Sequence, residues 1–183
     1  MPKIVTVAHL FGQSADLNSI KEICDEYDLP LLEDAAESLG SRYEGKHPGT
    51  FGDVGIFSLN GNKMITGTSG GLLVSRDPVK VEYARKWSMH SRDQDPNGIN
   101  NYLHSELGYN YRMSNIIAGI ARGQLEILEK RVEQRRAVFD RYRTAFEDLP
   151  GITPQPEINS GVHTRWLSCF LVDETKFGKS ASN

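Results

Sequence analysis

Cysteine and histidine are scarce in this 183-residue chain, and no apolar run is long; these shortages narrow the chemistry first. Cys24 and Cys169 form no CxxC or similar motif, so both read as buried thiols in a reducing compartment. The five histidines make no HxxxH or HExxH pattern; His47, His90 and His163 read as loop residues, and a metal site has little support. A net charge of −3 with no basic run argues against an electrostatic nucleic-acid binder. No apolar segment approaches the roughly 20 residues of a membrane span. No charged region followed by a long apolar stretch opens the chain, so no signal peptide is read. The expectation is a soluble, cytoplasmic protein. Repeats and low-complexity tracts are absent as well.

What is present supports a folded core: hydrophobic residues make up 38% and charged residues 25%. An apolar run from Ile4 to Ala8 reads as a strand. A helix capped by Asp16 follows to Tyr27, with Leu17, Ile20, Ile23 and Cys24 on its apolar face. Pro30 blocks its continuation, and Leu31-Leu32 begins a strand ending at Glu33-Asp34. That spacing is a βαβ unit with a parallel pair, which places His9 and Asp34 just past strand carboxyl ends, where open α/β sheets hold ligands. Arg42 to Gly52 reads as turns, Val54 to Leu59 as a strand, and Gly70 to Val74 as another. Asp77-Pro78 opens a helix to about His90, and Ser91 to Asn101 reads as a mobile loop. The spacing predicts one long helix from Ser114 to Leu149-Pro150-Gly151. Its charged residues form a solvated face. Pro154 and Pro156 read as a stiff linker, and Trp166 to Val172 as a strand.

Lys63 draws attention because it follows Phe57-Ser58-Leu59-Asn60-Gly61-Asn62 and precedes Gly67, Gly70 and Gly71. A lysine in a tight polar loop, a hydroxyl at Ser58 and a carboxylate at Asp34 make up a set that could hold pyridoxal phosphate. The lysine would attack the aldehyde, the aspartate would pair with the pyridine nitrogen, and the hydroxyl would bind the phosphate. Each residue alone also has an ordinary reading. Asp34 could cap a helix beginning at Ala35, Lys63 could be a surface lysine, and Ser58 an unremarkable strand-end serine. A serine hydrolase is the competing enzyme reading: Gly67-Thr68-Ser69-Gly70-Gly71 fits G-x-S-x-G, with Asp93 and His104 following. The run Leu72-Leu73-Val74 after Ser69 reads as a strand where that motif needs a helix. Gly61-Asn62-Lys63-Met64 lacks the contiguous G-K-[ST] of a P-loop.

Five ordered motifs then carry a resemblance: Glu33-Asp34-Ala35-Ala36-Glu37, Gly49-Thr50-Phe51-Gly52-Asp53, Phe57-Ser58 through Asn62-Lys63, Gly70-Gly71, and Gly108-Tyr109-Asn110-Tyr111-Arg112-Met113-Ser114. They resemble the DegT/DnrJ/EryC1/StrS family of nucleotide-sugar aminotransferases, from Val7 to Leu167. The resemblance implies an α/β fold of the aspartate aminotransferase kind (fold type I). Residues 1–149 would supply an incomplete PLP-binding large domain and 150–183 the start of a small carboxy-terminal α+β domain. It implies Lys63 as the Schiff-base lysine, Asp34 as the pyridine partner and Ser58 as the phosphate hydroxyl. Glu37 falls where many members have glutamine or histidine beside the cofactor ring. Asn110 matches an asparagine that reaches the phosphate in the neighbouring subunit, which implies a homodimer with shared sites. The implied reaction takes an amino group from an amino acid, glutamate in most of the family, to a nucleotide-linked 4-keto-6-deoxy sugar. A UDP-N-acetylhexosamine derivative for polysaccharide or glycan biosynthesis matches best. The family also has a preceding segment with a phosphate-binding turn and a ring-stacking aromatic, so the chain looks like the middle half of a full-length member. A catalytically silent sugar-binding homologue is the remaining alternative.

Overall fold

The computed structural model describes residues 2–95, 98 and 102–182. Its centre is a four-stranded sheet of β1 (Val5–Ala8), β2 (Leu31–Asp34), β4 (Val54–Ser58) and β5 (Gly71–Val74), in the order β1-β2-β4-β5. The first three run parallel, with Ala8 beside Asp34 and Asp34 beside Ile56. β5 returns antiparallel, with Ser58 beside Gly71. The carboxyl ends of β1, β2 and β4 therefore open on the same side, the arrangement expected for ligand sites in parallel sheets.

The crossover between β1 and β2 is α1 (Leu17–Glu26), which buries Leu17 and Cys24. Ile23 of the expected apolar face is exposed. Asp16 precedes α1 but makes no side-chain cap; its carboxylate accepts hydrogen bonds from Ser19 Oγ at 2.7 Å and Tyr43 Oη at 2.8 Å. Asp77 does cap α2 (Pro78–Ser88), accepting from the Val79 amide at 2.8 Å with Pro78 in the first turn.

The expected long helix is two helices. α3 (Asn115–Leu125) is capped by Ser114, and α4 (Leu128–Ala145) follows after a turn. At the break, the Ile127 amide bonds back to Gln124 O at 3.2 Å, a three-residue step where a helix takes four. The buried stripe survives the turn through Ala121, Leu128, Val132 and Phe139, whereas Ile116 is 77% exposed. This continuity explains why the apolar spacing reads as one element.

After α4, Pro154 is no linker: β6 (Ile152–Pro154) pairs antiparallel with β8 (Phe170–Val172), Pro154 lying beside Phe170. Only the last three residues of the expected strand from Trp166 are strand, and a short α5 (Glu174–Phe177) follows. Within the segment expected as turns, β3 (Arg42–Tyr43) pairs antiparallel with β7 (Gly161–Val162). The carboxy-terminal third thus returns to the sheet, and Trp166 joins Leu59, Met64, Ile65, Ala121, Leu128 and Val132 in one core cluster. Gly12 permits the closest approach. Its φ of 100° is left-handed, its carbonyl accepts from the Thr164 amide at 2.9 Å, and a Cβ there would collide with Thr164. Cys24 is buried but Cys169 only partly so, and both are free thiols. Part of the loop expected to be mobile, residues 96, 97 and 99–101, lies outside the described residues. Among the described residues, no helix is long and apolar enough to cross a membrane.

Candidate active site

Asp34 and Ser58 end adjacent parallel strands, and the lysine loop leaves from the second of them. Asp34 Oδ1 accepts the Ala36 amide at 3.0 Å, while the Ala35 amide reaches across to Ile56 O at 2.9 Å. Turns follow Asp34, and no regular helix begins at Ala35. Ser58 Oγ accepts the Asn60 amide at 3.3 Å, which leaves its own O–H free to donate elsewhere.

The loop that carries Lys63 closes on itself. The Lys63 amide bonds to Asn60 O at 3.1 Å, and the Gly67 amide and Thr66 Oγ1 both bond to Leu59 O at 3.0 Å. Met64 and Ile65 then plunge into the core, so the Lys63 backbone is pinned between a turn and a buried pair. Its side chain is only 14% exposed, with Nζ 3.7 Å from Glu37 Oε1. The ammonium also lies over the Trp166 ring, 4.4 Å from its centroid. Glu37 is held from its other side, because Oε2 accepts the Phe11 amide at 2.9 Å. Lys63 Nζ therefore sits between a carboxylate and an aromatic face.

The remaining candidates separate cleanly. Asn110 is exposed and bridges to Met89 beyond the end of α2. Its segment is tied to α2 by the Tyr109 amide on Trp87 O and the Tyr111 amide on Ser88 O. Lys86 there pairs with Asp93 and Glu106 at 2.8 Å each. Lys86, Trp87 and Tyr83 together hold the Glu106 carboxyl down to about 2. The hydrolase grouping does not assemble. Ser69 leads into strand β5, Asp93 is taken by Lys86 and Ser105, and His104 Nδ1 bonds to His90 O.

His9 is not a ligand-facing residue. It is buried, its Nδ1 accepts the Ala15 amide at 3.1 Å, and its Nε2 meets Glu33 Oε2 at 3.0 Å. Because Nδ1 accepts, the proton must sit on Nε2 and the ring is neutral. Glu33, which sequence reasoning passed over, is fully buried and also accepts amides from Gly49, Phe51 and Gly52 at 2.6–2.7 Å. Burial pushes its carboxyl up, yet the bonds from His9 and those amides outweigh burial and hold it below the usual range. The available signal was a glutamate sharing the inward phase of β2 with Leu31. Trp166 was also missed as a site residue, and its distance from Lys63 along the chain left no signal. His163, expected as a loop residue, is buried as well. Burial and Arg165 push its imidazole down to about 4. Among the described residues, no cluster of three or more His, Cys, Asp or Glu could hold a metal ion.

Comparison with known proteins settles the lineage. Residues 2–182 match the DegT/DnrJ/EryC1/StrS aminotransferase family, and the chain belongs to it. It is 49% identical to a putative pyridoxal phosphate-dependent aminotransferase, EpsN, of Bacillus subtilis, over 94% of this chain and 44% of the relative. It is 36% identical to a GDP-perosamine synthase of Vibrio cholerae, over 94% of this chain and 46% of that one. Among solved structures, the aminotransferase TlmJ of Streptoalloteichus hindustanus superposes with a TM-score of 0.87 at 29% identity, covering 94% of this chain and 47% of TlmJ. The fold is thus that of fold type I PLP-dependent transferases, and the chain spans about half the length of the curated relatives it matches.

Proposed function

We propose that the chain forms the lysine-bearing part of a PLP-dependent aminotransferase that aminates a nucleotide-linked 4-keto-6-deoxy sugar for polysaccharide biosynthesis. The observation that carries this reading is Lys63 Nζ, part-buried and held between Glu37 and Trp166 beside the strand ends that bear Asp34 and Ser58. The donor set fits pyridoxal phosphate. It offers one sequestered amine and one hydroxyl hydrogen, and among the described residues Asp34 Oδ2 takes no hydrogen bond. When bound, the cofactor supplies an aldehyde carbon for amine exchange and a ring that withdraws electrons from the carbon losing its proton.

The chain's own residues then have separate tasks. Asp34 would hold the cofactor's ring nitrogen, where its carboxylate would favour the protonated ring. Ser58 would donate to the phosphate, with Glu37 orienting Lys63. Lys63 Nζ would anchor the cofactor and, once displaced by the amino donor (glutamate in this reading), would be the base for the donor's α-proton. In the return half the same amine would return a proton to the sugar carbon that gains nitrogen. Asn110, on an exposed segment, reaches the site of a second copy in a homodimer.

The relatives' names support sugar amination, and the Vibrio cholerae one specifies GDP, whereas the subgroup motifs favour UDP. The test is product analysis with glutamate, UDP-linked and GDP-linked 4-keto sugars. It is run on the chain alone and on the chain completed to the length of the Bacillus subtilis relative. A 4-amino sugar from the completed protein supports the reading, with the UDP substrate preferred. No aminated product from either sugar sinks it.

A further inference from the structure

The geometry points to Trp166 as the positioning residue of Lys63, a role that rests on reading Lys63 as the reactive amine. Two independent contacts converge on this one side chain. Its indole Nε1–H donates to Asn62 O at 2.8 Å, fixing the carbonyl immediately before Lys63. Its ring face receives the Lys63 ammonium at 4.4 Å. Trp166 is itself 5% exposed and wedged among Leu59, Met64, Ile65 and Ala121, so neither contact is a loose surface encounter.

The physical consequence concerns the free amine. A lysine that alternates between anchoring a cofactor and carrying a proton must be held in place whenever it is released, because its four-carbon stem otherwise samples many rotamers. The Trp166 face and Glu37 Oε1 supply that holding position from two directions, one by ring quadrupole and one by charge. Trp166 also lies in the returning carboxy-terminal segment, next to Arg165 and Thr164, and Thr164 is bonded to Gly12. The lysine's position is thereby coupled to the seating of that segment. An outward shift of residues 164–166 would loosen both the Asn62 carbonyl and the Lys63 ammonium.

The test reads Lys63 directly, without added cofactor. Competitive acetylation, with exposed Lys130 as internal reference, gives a Lys63:Lys130 rate ratio. Trp166→Leu should raise that ratio about threefold or more, because the ring face that covers and holds the Lys63 amine is gone. Trp166→Phe retains a ring face and should stay near the wild-type ratio. Equal ratios in the Leu, Phe and wild-type proteins would overturn the proposal. Because Trp166 is a core residue, a second measurement covers a Leu variant that fails to fold: indole N–H exchange in the wild-type protein. The Trp166 indole proton should exchange about tenfold more slowly than that of Trp87, which is 42% exposed; equal exchange would refute the loop anchor. Borohydride mapping reports on Lys63 as the reactive amine separately, so a failure of that reading and a failure of the Trp166 role are told apart.

Discussion

Glu33 and Asp34 are neighbours on β2, yet the pleat sends them to opposite fates. Glu33 shares the inward phase of the strand with Leu31 and is fully buried, where its two oxygens take three backbone amides and the His9 Nε2–H. Asp34 lies half-buried at the strand end, and a single amide occupies Oδ1. A carboxylate with every lone pair engaged is a structural rivet. One with an oxygen to spare can serve a ligand. The same contrast separates His9, locked by two partners, from Lys63, which meets Glu37 and a ring face without a close hydrogen bond.

The largest expected effect comes from breaking the rivet. Glu33→Gln replaces an acceptor oxygen with an NH2 that faces amides, and it should cost about 3–5 kcal/mol of stability, read by denaturant unfolding. A loss below about 1 kcal/mol would show that the turn at Gly49–Gly52 is held by other means. Asp34→Asn sharpens the opposite half. In the completed protein it should retain cofactor and fold but lose about a hundredfold in kcat. Unchanged turnover would reduce Asp34 to a turn-capping residue.

A third and smaller effect follows from His163. The folded chain protonates it only near 4 and the unfolded chain near 6.5, because burial and Arg165 oppose the charge. Its depressed value means that stability is intact above pH 6.5 and is lost as pH falls toward 4, by at most about 3 kcal/mol. Thermal melts from pH 7.5 to 4.5 should show this slope, and His163→Gln should flatten it. The smallest effect belongs to the half-buried Lys86–Asp93–Glu106 group near the surface. Lys86→Met should lower the melting midpoint only slightly at physiological salt, since ion pairs that water still reaches contribute little. A large drop would mean that the segment bearing Asn110 depends on it.

How legible all this was in the sequence follows the same division. The βαβ unit, β4, β5 and α2 announced themselves through apolar runs punctuated by Pro30, Asp77-Pro78 and glycines. Those are local signals. The split between α3 and α4 was hidden because the stripe from Ala121 to Phe139 runs through the turn unchanged. Pairing of β6 with β8, and of β3 with β7, joins segments by tertiary contact that no short window contains. The lysine loop was visible as Asn60-Gly61-Asn62-Lys63 before a glycine cluster, whereas the contact of Lys63 with Glu37, 26 residues earlier, had no local signal. Glu33 and Trp166 were not visible as site supports. Their partners lie 16 to 24 residues away for Glu33 and 104 residues away for the Trp166–Asn62 bond.

The central claim is that Lys63 is the amine that engages the cofactor. Borohydride reduction of the completed protein with pyridoxal phosphate, followed by peptide mapping, tests it most directly. The account predicts a single label on the peptide containing Lys63, lost in Lys63→Ala. A label on Lys46 or Lys80, or an undiminished label in the Lys63→Ala protein, would contradict it.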